Sequence, residues 1–313
     1  MSLPRSHITL DVLISEVGLR DGLQAVKRTM ATVHKKAWID ALVDAGLREI
    51  EVASFVPAAL LPQMADAVQI TQYAARIPSL SVVALVPNLR GARDAIAAGV
   101  HKLTFPCSAS AAHSLANVRK TREQAIQEVA DIVKMRNDIA PTVQIEAGVS
   151  TAFGCTIQGA VSGDDVVWMV ESLINVGANI SGLADTTGMA NPAQVRHLYQ
   201  RIIAAVGIEK AGAAHMHNTR GLGIANCLAA YDVGIRSFDS SMAGLGGCPY
   251  APGASGNVVT EDLVFMFESM GVRTGINLDL LIAAREVIKI GLPGEPLYGH
   301  LAGAGVGLNF QYA

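Results

Sequence analysis

The sequence predicts a (β/α)8 barrel. Short β-branched runs alternate eight times with longer segments of helical period, and polar residues follow the ends of many of those runs. In addition, the turn after the first run reads VGLRDGLQ, which does not match the glycine-rich fingerprint of a dinucleotide-binding sheet. The alternative, an open doubly wound sheet, would gather its polar residues at one switch point.

Each short apolar run is predicted to be a strand, and each longer segment an amphipathic helix. The eight predicted strands are Val12–Val17, Glu49–Ser54, Ser81–Val86, Lys102–Phe105, Thr142–Gly148, Gly182–Asp185, Gly212–His217 and Ser237–Ser240. The eight predicted helices are Val33–Ala45, Pro62–Arg76, Leu89–Ala98, Thr121–Asn137, Asp164–Val176, Pro192–Val206, Arg220–Asp232 and Val258–Met270. A further helical stretch, Asn277–Ile290, follows these units.

Capping residues support several of these helix ends. Asn191 and Pro192 form an N-cap followed by proline at the first helical position. A left-handed C-cap favours glycine, and glycines follow four of the helical segments: Gly46, Gly99, Gly177 and Gly234.

Polar side chains at strand ends mark the catalytic face of such a barrel. They are Glu16, Arg20, Asp21, Glu51, Asp185, His215, His217, Asn218 and Asp239. Because they come from many strands, they favour the closed barrel. No linker-like segment divides the chain, so we expect one domain over residues 1–313, with the barrel at about 8–272 and a C-terminal helix and tail at about 273–313.

The composition is that of a core-rich globular enzyme. Of 313 residues, 50% are hydrophobic and 16% charged; the net charge is −3 and the mean hydropathy +0.35. These values exclude a disordered chain and predict no nucleic-acid or membrane partner. Apolar runs stop short of the about 18 residues of a membrane span, and Asp11 and Glu16 interrupt any signal-peptide core. We therefore expect a cytoplasmic protein, and four cysteines without metal-ligand spacing fit a reducing compartment.

His215 and His217 form the sharpest local motif, His-Met-His. Residues two apart on a strand point the same way, so both imidazoles would face the barrel mouth, where they suit a divalent metal. The alternative is a pair of polar caps that hydrogen-bond to backbone above the core.

Arg20 and Asp21 follow the first predicted strand. An adjacent Arg-Asp is usually a structural ion pair. At the same barrel mouth, however, Asp21 could supply an anionic oxygen ligand and Arg20 a fixed positive charge for a developing anion.

A glycine- and proline-rich loop, residues 244–257, follows the last predicted strand and includes Cys248. Such a loop could close over a substrate or simply connect strand and helix. Asn257, at its end, could cap the next helix or offer an oxygen to a metal. The other three cysteines are predicted to be packing residues.

Three motifs together resemble the 3-hydroxy-3-methylglutaryl-CoA lyase family, a branch of a metal-dependent TIM-barrel superfamily. They are Glu16-Val-Gly-Leu-Arg20-Asp21-Gly-Leu-Gln24, then His215-x-His217, then Gly246-Gly-Cys248-Pro-Tyr-Ala-x-Gly-Ala-Ser-Gly-Asn257. The first motif marks the superfamily, and the cysteine loop is specific for the lyase branch. The resemblance extends from about Ile8 to Ile290.

The resemblance implies a site for Mg²⁺ or Mn²⁺ and roles for individual residues. Its implied metal ligands are Asp21, His215, His217 and Asn257. Its implied catalytic residues are Arg20, Asp21, His215, Cys248 and Glu51, with Arg20 on the thioester enolate and Cys248 in a mobile loop. Residues expected to bind substrate or support the site are Gln24, Asp185, Thr187, Asn218, Arg220 and Glu261.

The implied reaction is retro-Claisen cleavage of an acyl-CoA substrate. A base, Asp21 or His215, takes the hydroxyl proton, and carbon–carbon cleavage leaves an enolate that Arg20 stabilises. Cys248 or a ligand histidine then supplies a proton, which gives acetyl-CoA and acetoacetate if the substrate is hydroxymethylglutaryl-CoA.

This chain departs from the family pattern after the seventh strand. The family reads His-x-His-Asp-Thr-Tyr-Gly there, whereas this chain has Asn218 and Arg220 in place of Asp and Tyr. Thr187 also stands where isoleucine is common. The ligands are retained, so the reaction type should be too, but the substrate could be citramalyl-CoA or a longer branched 3-hydroxyglutaryl-CoA.

Two other functions are weighed against the lyase. An isopropylmalate- or homocitrate-type synthase shares the Arg-Asp motif and a His-x-His-Asn, but the cysteine loop opposes it, as does the lack of room for a regulatory domain. A barrel that binds a CoA ester without catalysis is opposed by the intact set of site residues. The resemblance also implies a homodimer.

Overall fold

The computed structural model describes residues 10–246 and 256–313, which form a closed barrel of eight parallel strands. Each strand pairs with the next along the chain, and the last returns to the first. The predicted (β/α)8 fold is therefore confirmed. The strands are β1 (Leu13–Glu16), β2 (Glu49–Ser54), β3 (Ser81–Leu85), β4 (Lys102–Ser108), β5 (Gln144–Ser150), β6 (Ser181–Ala184), β7 (Ala211–His215) and β8 (Ser237–Ser240).

Helices cover the outside of the barrel. They are α1 (Thr32–Ala45), α2 (Ala67–Ala74), α3 (Leu89–Ala97), α4 (Ala111–Val118), α5 (Arg122–Ile139), α6 (Gly163–Asn175), α7 (Pro192–Val206), α8 (Gly223–Asp232), α9 (Thr260–Ser269), α10 (Leu278–Gly291) and α11 (Leu301–Ala304). Shorter turns are π-helical at Gly18–Gly22, α-helical at Leu23–Ala25, and 3-10 at Pro62–Met64, Ile208–Lys210 and Met242–Gly244.

The predicted helix caps are confirmed. Asn191 and Gln194 form a reciprocal capping box at the start of α7, with Pro192 at its first turn. All four glycines expected at helix ends have positive φ, the conformation that glycine adopts without steric cost. Their φ values are 109° at Gly46, 95° at Gly99, 101° at Gly177 and 108° at Gly234.

Several predicted boundaries were wrong. The helix predicted at Pro62–Arg76 is a 3-10 turn followed by the shorter α2. The helix predicted from Arg220 begins only at Gly223. Asn257 is not a helix cap, because α9 begins at Thr260 and no side chain caps it. Helix α4 was not predicted; the side chain of Ser110 caps it.

The lower barrel interior holds a buried ion triad. Lys102 Nζ lies 2.6 Å from Glu49 Oε1 and 3.0 Å from Glu146 Oε2. The other oxygen of Glu146 accepts a hydrogen bond from the backbone of Ala213, on β7. The contacts of Lys102 with Glu49 and of Ala213 with Glu146 join strands that are not neighbours, so they cross the interior and close it toward the amino ends of the strands.

The carboxyl end of the interior is open. Inward-facing positions there are half-exposed although their strand neighbours are buried, so solvent enters from the mouth. We call this cavity the well. Its half-exposed wall residues include Thr104, Pro106, Gly148, Ser150 and Ala184.

The C-terminal segments pack back onto the barrel. Helix α10 lies against α1, whose Trp38 is fully buried. Further on, the Tyr298 backbone donates to Ala243 O after β8. Among the described residues, no helix has the length and apolar character needed to cross a membrane.

Candidate active site

Three side chains converge at the carboxyl end of the barrel: Asp21 after β1, His215 at the end of β7, and His217 just beyond. One candidate ligand atom from each lies within 4.8 Å of the others. The two histidine Nε2 atoms are 3.2 Å apart, and His215 Nε2 is 3.8 Å from Asp21 Oδ2. Adjacent ligands of an octahedral cation with bonds of about 2.1 Å are separated by about 3 Å, so this spacing suits one divalent ion.

The π-helical turn after β1 is fixed by a buried carboxylate. Glu16 Oε1 accepts hydrogen bonds from the backbone of Gly18 and of Met242, both at 2.8 Å, and Thr260 donates to Oε2 at 2.6 Å. A Cβ at position 18 would lie 2.5 Å from Glu16 Oε1, so the turn requires glycine there. Burial raises the pKa of Glu16 to about 8, although these donors favour its charged form.

Asp239, on β8, orients His215. The imidazole Nδ1 lies 3.0 Å from Asp239 Oδ2, which leaves Nε2 facing His217. Burial lowers the pKa of His215, but the hydrogen bond and charge of Asp239 outweigh it and the pKa is raised. For His217, burial and the neighbouring imidazole lower the pKa to about 4, which keeps its ring neutral near pH 7.

Asn257 completes the cluster. Its Nδ2 donates to Asp21 Oδ2 at 2.6 Å, and its backbone forms a β-bridge with His217. Asn257 is fully buried, yet its Oδ1 has no hydrogen-bond partner among the described residues. A buried carbonyl oxygen without a donor is costly, and a cation would satisfy it. The donor set of carboxylate, two imidazoles and an amide therefore fits a divalent metal.

Arg20 lies beside this cluster, held between two carboxylates. Its Nε donates to Glu51 Oε2 at 2.5 Å and its Nη1 donates to Asp21 Oδ1. Thr104 donates to the other oxygen of Glu51, and Gln24 donates to Asp21 Oδ1 at 3.0 Å. Burial raises the pKa of Asp21, but Arg20 and the histidines outweigh it and hold the pKa well below its usual range. Arg20 is thus a fixed, buried cation at the mouth.

Two predicted acidic residues brace loops at the strand ends. Glu261 is fully buried and accepts hydrogen bonds from the backbone of Ala243 and from Arg285, at 3.0 and 2.5 Å. It therefore supports the turn after β8. Asp185 accepts from the backbone of the turn after β6, with the shortest contact at 2.8 Å, and burial raises its pKa to about 7.

The residues that depart from the family pattern tie neighbouring loops together. Arg220 Nη1 donates to the carbonyls of Thr187 and Gly188, at 2.9 and 2.8 Å. Thr187 in turn donates to Gly154 O, and Asn218 Oδ1 accepts from the backbone at the start of α8. Each of these hydrogen bonds joins a side chain to the backbone of a segment at the carboxyl end of the barrel.

The predicted cysteine, Cys248, lies outside the described residues. Cys107, Cys155 and Cys227 are buried and free, as expected of packing residues. Asp239 was predicted only as a polar residue at a strand end, and Thr104 was not predicted to belong to the site. Thr104 could have been predicted to face the barrel interior, because side chains alternate along a strand and Thr104 lies two residues after Lys102.

A family model described as HMGL-like matches residues 11–288. Among curated proteins, the chain is 38% identical over 288 residues to a hydroxymethylglutaryl-CoA lyase of Bacillus subtilis, which covers 91% of this chain and 94% of that protein. It is 37% identical over 277 residues to the human mitochondrial hydroxymethylglutaryl-CoA lyase, covering 88% of this chain and 84% of that protein.

Solved structures of HMG-CoA lyases also resemble this chain. An HMG-CoA lyase from Bacillus subtilis superimposes with a TM-score of 0.90 at 36% identity, covering 95% of this chain and 98% of that one. An HMG-CoA lyase from Acinetobacter baumannii, in complex with coenzyme A and 3-methylmalate, has a TM-score of 0.89 at 39% identity. The match covers 96% of this chain and 97% of that one.

Proposed function

Since the chain belongs to the HMGL-like family, we propose that it is a carbon–carbon lyase that cleaves 3-hydroxy-3-methylglutaryl-CoA to acetyl-CoA and acetoacetate. The observation that carries this proposal is the contact between Arg20 and Asp21 beside two converging imidazoles. That arrangement combines a cation site with a fixed guanidinium, which are the two positive charges that a retro-Claisen cleavage needs.

The metal site in this proposal consists of Asp21, His215, His217 and Asn257. A mixed nitrogen and oxygen donor set suits Mg²⁺ or Mn²⁺. When bound, such an ion would polarise the substrate hydroxyl and hold it in place. The protein's part is to present lone pairs: Asp239 fixes His215 so that Nε2 faces inward, and His217 stays neutral.

We assign proton abstraction to Asp21 rather than His215. Both nitrogens of His215 are committed, Nδ1 to Asp239 and Nε2 to the ligand cluster. Asp21 is ionised, and Arg20, Gln24 and Asn257 donate to its two oxygens, so the substrate hydroxyl would take the place of one of these donors before its proton is transferred. As the proton leaves, the hydroxyl carbon becomes a ketone, and the electron pair of the breaking carbon–carbon bond forms the thioester enolate.

Arg20 stabilises that enolate. Glu51 holds the guanidinium through Nε, and Thr104 holds Glu51, so the positive charge is in place before the reaction. A proton transferred to the enolate carbon completes acetyl-CoA. From its sequence motif, we propose Cys248 as the donor. The homodimer, the cytoplasmic location and the one-domain organisation remain predictions.

The test is acetyl-CoA release from purified protein given hydroxymethylglutaryl-CoA. We expect release that stops with a chelator and returns with excess Mg²⁺ or Mn²⁺. Consumption of acetyl-CoA in the presence of a keto acid, without cleavage, would instead favour a Claisen-type synthase. Binding of the ester without turnover under any metal condition would contradict the lyase.

A further inference from the structure

Gly148, in the middle of β5, has no local structural reason to be glycine. It is not among the glycines with positive φ, so its backbone would accept another residue. A Cβ built there meets nothing within 4 Å in the part of the chain that the structure describes. Glycine weakens a strand, and within one it often marks a place where another group approaches closely.

Two other barrel glycines behave differently. A Cβ at Gly182 or Gly212 would lie 2.8 Å from Glu146 Oε1 and still closer to backbone atoms of the neighbouring strand. The ion triad and strand packing therefore explain those two glycines. Of these three glycines, only Gly148 has open space where a side chain would lie. We call this space the Gly148 bay.

The Gly148 bay opens into the well. Side chains alternate along a strand, so Gly148 shares its face with Glu146 and Ser150, the positions two residues before and after it, and both of these face inward. Glu146 accepts a hydrogen bond from the backbone of Ala213 on β7, across the interior, and Ser150 Oγ lies 3.0 Å from Ser108 Oγ. Gly148 is half-exposed, although Ala147 and Val149 beside it are fully buried.

The bay lies within reach of a substrate bound at the metal cluster. Strand β5 is separated from β7, which ends in His215, by β6 alone. Two strand spacings separate β5 from β7 by about 10 Å, and the register places Gly148 one residue below the level of Ala214, which precedes His215. Its neighbours across the strand pairings are small and apolar: Pro106 pairs with Gly148, and Ala184 lies above on β6.

We propose that the Gly148 bay receives the alkyl branch on the hydroxyl-bearing carbon of the substrate. The enzyme then accepts 3-hydroxy-3-alkylglutaryl-CoA esters whose branch is longer than methyl, and releases acetyl-CoA with the correspondingly longer 3-oxo acid. The inference rests on the proposed lyase function and names the substrate class of that same site. Pro106 and Ala184 give the bay a small apolar rim, and the nearby Lys102 is already paired with Glu49 and Glu146, so the bay suits an alkyl group better than a second carboxylate.

The test compares esters with a methyl and a propyl branch on Gly148→Val and the milder Gly148→Ala. In the unchanged protein, kcat/KM for the propyl ester should fall within about tenfold of that for the methyl ester. Filling the bay with valine should lower kcat/KM for the propyl ester by about 10- to 200-fold and change the methyl ester by less than about threefold. Gly303→Val, on exposed α11 where a Cβ also meets nothing, is the matched control and should leave both values unchanged.

Calorimetry with chelator present separates this inference from the proposed function. If no ester is cleaved but Gly148→Val selectively weakens binding of the propyl ester, the lyase proposal is contradicted, while the assignment of the bay to the alkyl branch is supported. If the methyl ester is cleaved but neither Gly148 variant changes the propyl-to-methyl ratio, the bay assignment is overturned. Failure of the unchanged protein to bind the propyl ester would also overturn it.

Discussion

His215 Nδ1 lies 3.0 Å from Asp239 Oδ2, and this contact between β7 and β8 determines which nitrogen of the imidazole faces the ligand cluster. A ring held this way donates from Nδ1 and offers the Nε2 lone pair toward His217. The arrangement is a carboxylate–histidine pair positioned for a metal. It also makes Asp239 a positioning residue, since it acts through His215.

Asp239→Asn should weaken metal binding and activity by about tenfold or more. The amide retains an acceptor for the His215 Nδ1 proton but loses the charge that makes the ring a stronger ligand. Isothermal calorimetry with Mn²⁺ measures the affinity, and saturating metal should restore much of kcat. Asp279→Asn, on the exposed first turn of α10, is the control. If Asp239→Asn and Asp279→Asn bind Mn²⁺ with equal affinity, Asp239 does not position His215 for the metal.

His217→Ala should reduce metal affinity because it removes one of the converging nitrogens. Excess Mg²⁺ or Mn²⁺ should restore part of the lost activity, since the remaining ligands still form a site. Calorimetry and activity titrations against metal concentration measure both effects. His197→Ala, on the exposed face of α7, should behave like the unchanged protein. An unaltered affinity in His217→Ala would exclude this side chain as a ligand.

Arg20→Gln should leave metal binding largely intact and lower kcat by on the order of a thousandfold. The guanidinium contacts Glu51 and Asp21 and is assigned to the transition state, so its loss removes stabilisation of developing charge. Steady-state kinetics give the kcat and KM values. Arg20→Lys should recover only part of the rate, because an ammonium cannot bond both carboxylates in the same fork. A near-normal rate in Arg20→Gln would contradict the role.

Glu16→Gln should change how stability depends on pH. The pKa of Glu16 is raised by burial to about 8, so between its unfolded pKa of about 4.5 and pH 8 the folded protein holds a proton that the unfolded chain releases. The stability that this group contributes is present below pH 4.5 and is lost as pH rises through 8, a change of as much as about 5 kcal/mol. Glutamine keeps a hydrogen-bond acceptor but does not titrate. The free energy of unfolding of the variant should therefore rise relative to that of the unchanged protein between pH 5 and pH 8.

Urea unfolding midpoints of the metal-free proteins at pH 5, 6.5 and 8 measure this effect. Glu286→Gln replaces an exposed carboxylate on α10 and serves as the control. Parallel pH curves for Glu16→Gln and the unchanged protein would show that Glu16 is ionised in the fold at all three pH values.

The fold was predictable because its signals are local. Eight alternating units, helix-ending glycines and the Asn191–Pro192 cap each act over a few residues. The gathering of Asp21, His215 and His217 was predictable too, since strand ends of a barrel share one face. Helix α4 was missed because it is only eight residues long and begins three residues after the end of β4.

Other features depend on which strands become neighbours and how deeply they are buried. The partnership of His215 with Asp239 follows from the pairing of β7 with β8, which a single sequence does not specify. The high pKa of Glu16 comes from burial of its carboxyl group, which contacts Met242 and Thr260, both more than 220 positions away along the chain. Similarly, Gly148 looks ordinary in the sequence and becomes informative only when the space beside it is known.

Anomalous diffraction from crystals soaked in Mn²⁺ is the most direct test of the metal centre. We expect one strong peak bonded to Asp21, to the Nε2 atoms of His215 and His217, and to the side-chain oxygen of Asn257, with protein–metal distances of about 2.1 to 2.3 Å. A peak elsewhere, or none at the cluster at Mn²⁺ concentrations that support turnover, would contradict it.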